Sequence, residues 1–375
     1  MRIAYFIQSA QEFDKLNIGG VEQTLQRLQG YLLERAHIVY GINCNSPKVA
    51  IPSPEEIDIV HIWGTWTDYG SRIGEIYKGK VPVFVSPIYN DRNLMFGCYA
   101  QWLREKGLLQ ESERILAYNE ELRANVAAVC NMADVIIVLA EGEREALIRA
   151  GAAKDANFQI VPNGVDVNAL RAVEQSWDIN PANAIFCPAR IEVNKNQLRL
   201  IQAFEKLKAI IPEAQLWFAG AAWEPQYTEE CRAYAQQRGL DVHWLGLRPT
   251  LEVLYWTKAA RVIALPSLSE CAPLAILDGA AMGKPLVCTR YSYIPEYVEA
   301  NFCDPMDVNS IFLALHNAWF QEESQERAAQ VRAKYFWQGS VERLLTLYSQ
   351  SLQAVLAVPC AANPPVFRHG DTAAP

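Results

Sequence analysis

Between Leu265 and Pro285 the chain reads LPSLSECAPLAILDGAAMGKP, and two carboxylates in it, Glu270 and Asp278, stand eight positions apart. An apolar run precedes the stretch, and Pro273 suits the first turn of a helix. An acid at position 278 then falls about one and a half turns into that helix. The first N–H groups of a helix lack partners of their own and attract an anion. A diphosphate held there would leave its ribose and its sugar within reach of the two carboxylates. Taken alone, a solvated loop glutamate and a surface helix aspartate explain the pattern as well.

A second stretch, FCPARIEVNKNQ over residues 186–197, sets Arg190 and Lys195 just beyond an apolar run of strand length. Ligands of open α/β sheets bind at that end of the strands. The planar fork of Arg and the point charge of Lys together match two phosphates, although two isolated cations are often only solvated loop charges. A third stretch places Gly19 and Gly20 in the turn before a helical pattern, where the backbone could approach a ligand closely. This pair is not G-x-G-x-x-G, and no acidic residue follows at the matching place. A dinucleotide site in this half therefore has little support. The sequence contains no Asp-x-Asp metal motif.

The elements that would position these residues follow from length and pattern. A chain of 375 residues, 51% hydrophobic and 20% charged, is long enough for two domains with cores of their own. A formal net charge of -8 argues against a nucleic-acid partner. The nine cysteines are scattered without a C-x-x-C pair, which reads as reduced thiols of a cytoplasmic protein and not as a zinc site. The first apolar run is short and reads as a β-strand, not a signal peptide. No stretch approaches the ~18 apolar residues of a spanning helix, so the expectation is a soluble protein, at most peripheral at the inner face of a membrane.

Strand-like runs at 2–8, 57–63, 81–86 and 134–139 alternate with helical patterns at 21–35, 112–131 and 141–150. Near-continuous apolar strands such as VIIVL at 135–139 suit a parallel sheet covered on both faces. The rhythm restarts after about residue 180, with strands at 184–188, 214–219, 242–245, 262–265 and 285–289 and helices between them. Residues 319–356 are helical by pattern, and the proline-rich 358–375 reads as a disordered tail. The expected fold is α/β, with two Rossmann-like doubly wound domains facing a cleft, over residues 1–170 and 171–334.

In this order the three stretches, together with PNGVD at 162–166, FAG at 218–220 and IPE at 294–296, resemble the retaining glycosyltransferases of the GT-B fold, group 1 or GT4 type, over about residues 1–350. The resemblance implies that Arg190 and Lys195 bind the diphosphate of a nucleotide-sugar donor. Glu270 faces the donor sugar and Asp278 the ribose, while the backbone of Ala272, Pro273 and Leu274 lines the pocket and Gly19 and Gly20 approach from the N-terminal domain. It implies a helix at 335–357 that crosses back onto that domain, retention of configuration, and a glycan, lipid-linked or small-molecule acceptor. No cofactor and no metal are expected, since cations and helix N–H groups meet the charge of the leaving diphosphate.

The chain also departs from the family. Asp278 stands where a glutamate is usual, and Cys271-Ala272-Pro273 replaces Gly-Phe-Gly. The usual histidine after an N-domain strand is missing, because residues 84–88 read FVSPI. His61 is the nearest candidate for a cleft histidine, with a packed strand histidine as the alternative. Trp63, Trp66, Tyr69 and Tyr89 offer surfaces for a sugar, or plain aromatic packing. A sugar-nucleotide epimerase of the same fold and a non-catalytic partner protein with a degenerate donor site remain as other readings.

Overall fold

A computed structural model describes residues 1–7, 20–45, 50–64, 68–175, 183–294 and 298–357. Gly19, Trp66, Pro295, Glu296, the linker at 176–182 and the segment 358–375 lie outside the described residues.

The N-terminal half runs β1 (Arg2–Ile7), α1 (Gly20–Glu34), β2 (Ile38–Asn43), β3 (Ile59–Trp63), α2 (Tyr69–Tyr77), β4 (Val83–Ser86), α3 (Asn93–Glu105), α4 (Leu109–Met132), β5 (Val135–Val138), α5 (Glu141–Ala150) and β6 (Phe158–Ile160). The C-terminal half continues with α6 (Val167–Glu174), β7 (Ala184–Pro188), α7 (Gln197–Lys208), β8 (Gln215–Ala219), α8 (Pro225–Gln237), β9 (Val242–Gly246), α9 (Thr250–Ala259), β10 (Val262–Leu265), α10 (Leu274–Ala281), β11 (Leu286–Thr289) and β12 (Asn301–Cys303). Three helices follow: α11 (Val308–Phe320), α12 (Gln325–Lys334) and α13 (Trp337–Ala357).

Each half is built on a six-stranded sheet, ordered β2-β1-β3-β4-β5-β6 in the first and β12-β11-β10-β7-β8-β9 in the second. Every strand pair is parallel. β3, β4, β5, β10 and β11 are buried along their whole length, which is why they read as unbroken apolar runs. In each sheet the strand order reverses once, between β1 and β3 and between β7 and β10. Crevices form beyond the carboxyl ends of strands at such points.

Three local differences from the sequence expectation have physical causes. The region 319–356 is not one helix. Ser324 caps α12 by accepting the Arg327 N–H at 3.3 Å, and Phe336 pairs with Val165 before α13 begins. Leu170 and Val173 are buried in the C-terminal core, so α6 joins that domain although residue 170 lies inside the expected first domain. The strand β2 and the helices α2 and α3 were not read from sequence. β2 is an edge strand with mixed exposure, and α3 carries its apolar residues toward the other domain.

The chain passes between the halves twice, side by side. Val165 N–H donates to Tyr335 O at 3.0 Å, and Trp337 N–H returns to Val165 O at 3.3 Å. A Cβ on Gly164 would lie 2.3 Å from the Trp337 nitrogen, so the crossing requires glycine there. Beyond it α13 lays Val341, Leu344 and Tyr348 into the core of the N-terminal domain, beside Ile3, Tyr5 and Phe84. The returning helix is part of the first domain's core.

Candidate active site

A cleft of about 930 Å³ opens between the halves, in the size range of small-molecule sites. Arg190, Lys195, Glu270, Ala272, Pro273, Leu274 and Asp278 all line it, so seven residues from two separate sequence stretches meet there. Gly20 is the first residue of α1, and Thr24, one turn further on, also lines the cleft.

Two loops beyond the switch-point strands carry the charges. After β7 the chain passes through Arg190 and a short 3-10 turn, Val193–Lys195, before α7. Asn196 joins turn to helix at φ 60°, in the left-handed region that asparagine tolerates. Its buried side-chain amide donates to Pro266 O at 3.0 Å and to Pro305 O at 2.7 Å, which ties this loop to the one after β10. Gly220 allows the end of β8 to approach, since a Cβ there would stand 2.0 Å from Ala189 O.

The tie brings Lys195 Nζ to 2.5 Å from Glu270 Oε1, which also accepts the Ser267 hydroxyl at 2.6 Å. Glu270 is buried at 8% exposure, so its charge needs this pairing. Arg190 lies 3.3 Å from Glu192 and rests its guanidinium on the Trp223 ring, 4.9 Å from the centroid. Both cations are therefore held in place, by partners that an entering diphosphate would compete with.

Pro273 is the residue before the first turn of α10, and the first intrahelical bond is Leu277 N–H to Pro273 O at 3.2 Å. The N–H groups of Leu274 and Ala275 precede that bond, at the cleft lining. Across the cleft the Asn163 side chain donates to Ala272 O at 3.0 Å and steadies the loop. Asp278, the fifth residue of α10, is half-buried. Burial pushes its carboxyl up to about 6, with Arg27 opposing the shift and Asp166 adding to it.

His61 is corrected by the structure. It sits on β3 with no exposed surface and is absent from the cleft lining. Its two ring nitrogens are bonded to the Tyr348 hydroxyl and to Ser86 Oγ at 2.8 Å, and burial pushes its pKa down to about 3. A neutral imidazole offers one donor and one acceptor, and both are used. Trp63 and Tyr69 are likewise core residues, and Tyr89 is 5% exposed.

Sequence reasoning missed the N-terminal side of the cleft and one loop of its C-terminal side. Asn90 and Arg92 line it from the loop after β4, and Trp223 and Glu224 from the loop after β8. The position of Asn90 and Arg92 beyond the end of a strand was the available signal. Among the described residues no cluster of His, Cys, Asp or Glu is arranged to hold a metal ion, and no helix is long and apolar enough to cross a membrane.

Two parallel sheets, a cleft at the switch point and a returning terminal helix define a GT-B architecture. Residues 173–335 match the model of the family described as glycosyl transferases group 1. The D-inositol 3-phosphate glycosyltransferase of Corynebacterium jeikeium is 27% identical over 247 residues, covering 59% of this chain and 58% of the relative. The O-antigen chain mannosyltransferase B of Escherichia coli is 28% identical over 169 residues, 42% of this chain and 43% of that one. The chain thus spans 58% of the length of the first relative and 43% of the second. Among solved structures, the sucrose-phosphate synthase of Thermosynechococcus elongatus superposes with a TM-score of 0.69 at 18% identity, over 94% of this chain and 99% of its own. Anabaena HepE in complex with UDP and glucose gives 0.68 at 15% identity, over 92% and 99%. At these identities the likeness is one of fold.

Proposed function

We propose that the protein transfers a glycosyl group from a nucleotide-diphosphate-sugar to an acceptor hydroxyl, with retention and without a metal ion. The observation that carries this reading is the meeting of Arg190, Lys195, Glu270, Asp278 and the start of α10 in one cleft. The diphosphate lies between the two cations and the first N–H groups of α10, the sugar faces Glu270, and Asp278 accepts from the ribose hydroxyls. The bond from the anomeric carbon to the diphosphate oxygen breaks, and the acceptor oxygen forms the new bond on the same face. The acceptor proton leaves with the diphosphate. Fixed positive charge aimed at that departing oxygen stabilises the transition state more than the ground state.

The similarity to proteins named as glycosyltransferase and mannosyltransferase supports this reading, as does the likeness in fold to a UDP and glucose complex. The acceptor, a glycan, a lipid-linked sugar or a small molecule, enters from the side of Asn90 and Arg92. The scattered cysteines support a reducing, cytoplasmic location. The test is a thermal-shift screen of UDP- and GDP-sugars, followed by mass spectrometry of product with lipid-linked and soluble acceptors. Turnover is expected to survive EDTA within about twofold, because Arg190 and Lys195 stand where a metal ion would otherwise neutralise the diphosphate. Complete loss in EDTA, restored by Mg²⁺ or Mn²⁺, would refute the metal-free part of the proposal.

A further inference from the structure

The two halves also meet along a seam beside the donor site, and at its centre is a carboxylate with no part in donor binding. Glu143, in the first turn of α5, has no exposed surface. Its Oε1 accepts the Tyr89 N–H at 2.8 Å and its Oε2 accepts the Leu139 N–H at 2.6 Å. The thiol of Cys271, on the loop before α10 in the other domain, lies near this carboxylate and favours its ionised form.

What Glu143 holds is a strained bend. Ile88, next to Tyr89, has φ 50°, a region that β-branched residues rarely enter. The bend throws the following residues across the seam. Asn90 Nδ2 donates to Ser269 Oγ at 2.5 Å, and that hydroxyl donates to Asp91 O at 3.1 Å. From the C-terminal side Tyr293 closes the seam. Its N–H donates to Cys271 O at 2.7 Å, and its hydroxyl accepts the Asp91 N–H at 3.3 Å. Its ring lies so close to Gly142 that a Cβ there would be 2.6 Å from Cδ1.

Two loops are thus fastened to one buried group. Residues 87–92 carry Asn90 and Arg92 into the N-terminal side of the cleft, and residues 269–273 carry Glu270 and the approach to α10. Burial pushes the Glu143 carboxyl up to about 7, while the hydrogen bonds from Leu139 and Tyr89 and the nearby Cys271 thiol oppose that shift and favour the ionised form. The cysteine that replaces the glycine of the related motif has a partner here.

We propose that Glu143 is a positioning residue that couples the donor loop, through Cys271, to the loop 87–92 on the acceptor side. The proposal rests on the donor-site reading above only for which ligand triggers the coupling. Binding of a nucleoside diphosphate orders residues 269–273, and the seam passes that order to 87–92.

The experiment is hydrogen–deuterium exchange of residues 87–92 with and without UDP or GDP, beside nucleotide affinity by calorimetry. In the unmodified chain the nucleotide slows exchange there by about tenfold, within the usual range of coupling between sites. In Glu143→Gln and in Gly142→Ala the slowing falls to about twofold or less, while affinity changes by less than about threefold. Gly142→Ala displaces the Tyr293 ring from the seam without altering the buried carboxylate and guards against misfolding of the first variant. Cys271→Ala loses the coupling and Cys271→Ser, which keeps a hydroxyl donor, restores it. Equal slowing in all variants overturns the proposal. If neither nucleotide binds the unmodified chain, the donor-site reading fails instead. The seam is then tested without ligand, by whether Glu143→Gln and Gly142→Ala raise exchange at 87–92 by about tenfold or leave it unchanged.

Discussion

The two sheets are close relatives in topology, yet their switch-point strands are put to opposite uses. β7 and β10 end in loops that deliver Arg190, Lys195 and Glu270 to the cleft. β1 and β3 send Tyr5, His61 and Trp63 into a face sealed by α13, where Tyr348 bonds His61 and stands 3.3 Å from the Tyr5 hydroxyl. One pair positions fixed charge beside solvent. The other exchanges solvent contact for a polar group satisfied inside an aromatic core. Similar topology therefore does not predict similar chemistry, because chemistry lies in what the loops and the covering helix bring.

The largest way to break this comparison is to remove the cover. Truncation after Lys334 strips Val341, Leu344 and Tyr348 from the first core, and each such side chain contributes about 1.5–3 kcal/mol of burial. That loss exceeds much of a domain's net stability, and the truncated chain is expected to lose cooperative unfolding of its N-terminal half. Deletion of 358–375 should change the melting temperature little. Equal stability of the two truncations, measured by calorimetry, would contradict a structural role for α13.

Next in size are the cations of the open switch point. Arg190→Ala and Lys195→Ala are each expected to lower turnover on the order of 10²–10³-fold, as loss of other preorganised donors does. Lys195→Ala also leaves the buried Glu270 without its ion pair and should lower the melting temperature. Glu270→Gln should reduce turnover with nucleotide affinity nearly unchanged, as the proposed place of Glu270 beside the sugar requires. If both cations can be removed with donor affinity and rate intact, the diphosphate site is elsewhere.

How much of this was legible in the sequence differs between the halves for the same reason. The C-terminal side of the cleft could be read because its residues ride on unbroken strand–loop–helix stretches, such as 262–281, where spacing translates directly into position. On the N-terminal side only the strand end before Asn90 and Arg92 was legible, because Asn90, Arg92 and Glu143 acquire their places from a strained bend and from partners on the other domain. His61 shows the limit most clearly. A histidine on an apolar strand reads alike whether it faces a cleft or a core, and the residue that decides, Tyr348, lies 287 positions away. The departures from the family pattern at 271–273 were visible, but the partner of Cys271 was not.

The closed switch point predicts a pH effect on stability. His61 titrates at about 3 in the fold and near 6.5 when unfolded, so between those values the unfolded chain binds more protons. Its contribution to stability is complete above about 6.5 and falls by about 1.4 kcal/mol per pH unit below it, until the folded group itself titrates. His61→Gln keeps a donor and an acceptor, and the difference in urea stability between it and the unmodified chain should grow smaller as pH falls from 6.5 to 4. Nucleotide affinity should not change. A loss of affinity in this variant would place His61 in the site after all.

The smallest effect belongs to Asp278, and it separates a ribose contact from a merely buried acid. Burial pushes its carboxyl up to about 6, so the ionised acceptor that a ribose hydroxyl prefers is depleted as pH drops through that value. A hydrogen bond to a charged group contributes about 1.5–3 kcal/mol, so Asp278→Ala should weaken UDP or GDP about tenfold or somewhat more. Turnover at saturating donor should fall less, because the contact is present in the ground state and the transition state alike. Affinity in the unmodified chain should drop from pH 7 to pH 5, and Asp278→Asn should flatten that part of the profile. The fold responds with the opposite sign. A carboxyl raised from 3.8 to about 6 binds more protons when folded, so it favours the fold at low pH and loses that contribution as pH rises toward 6. Weaker binding at pH 5 in a domain that is not destabilised by this group therefore points to the ribose contact. Identical pH profiles for Asp278→Asn and the unmodified chain would remove Asp278 from the donor site and leave the open switch point defined by Arg190, Lys195 and Glu270 alone.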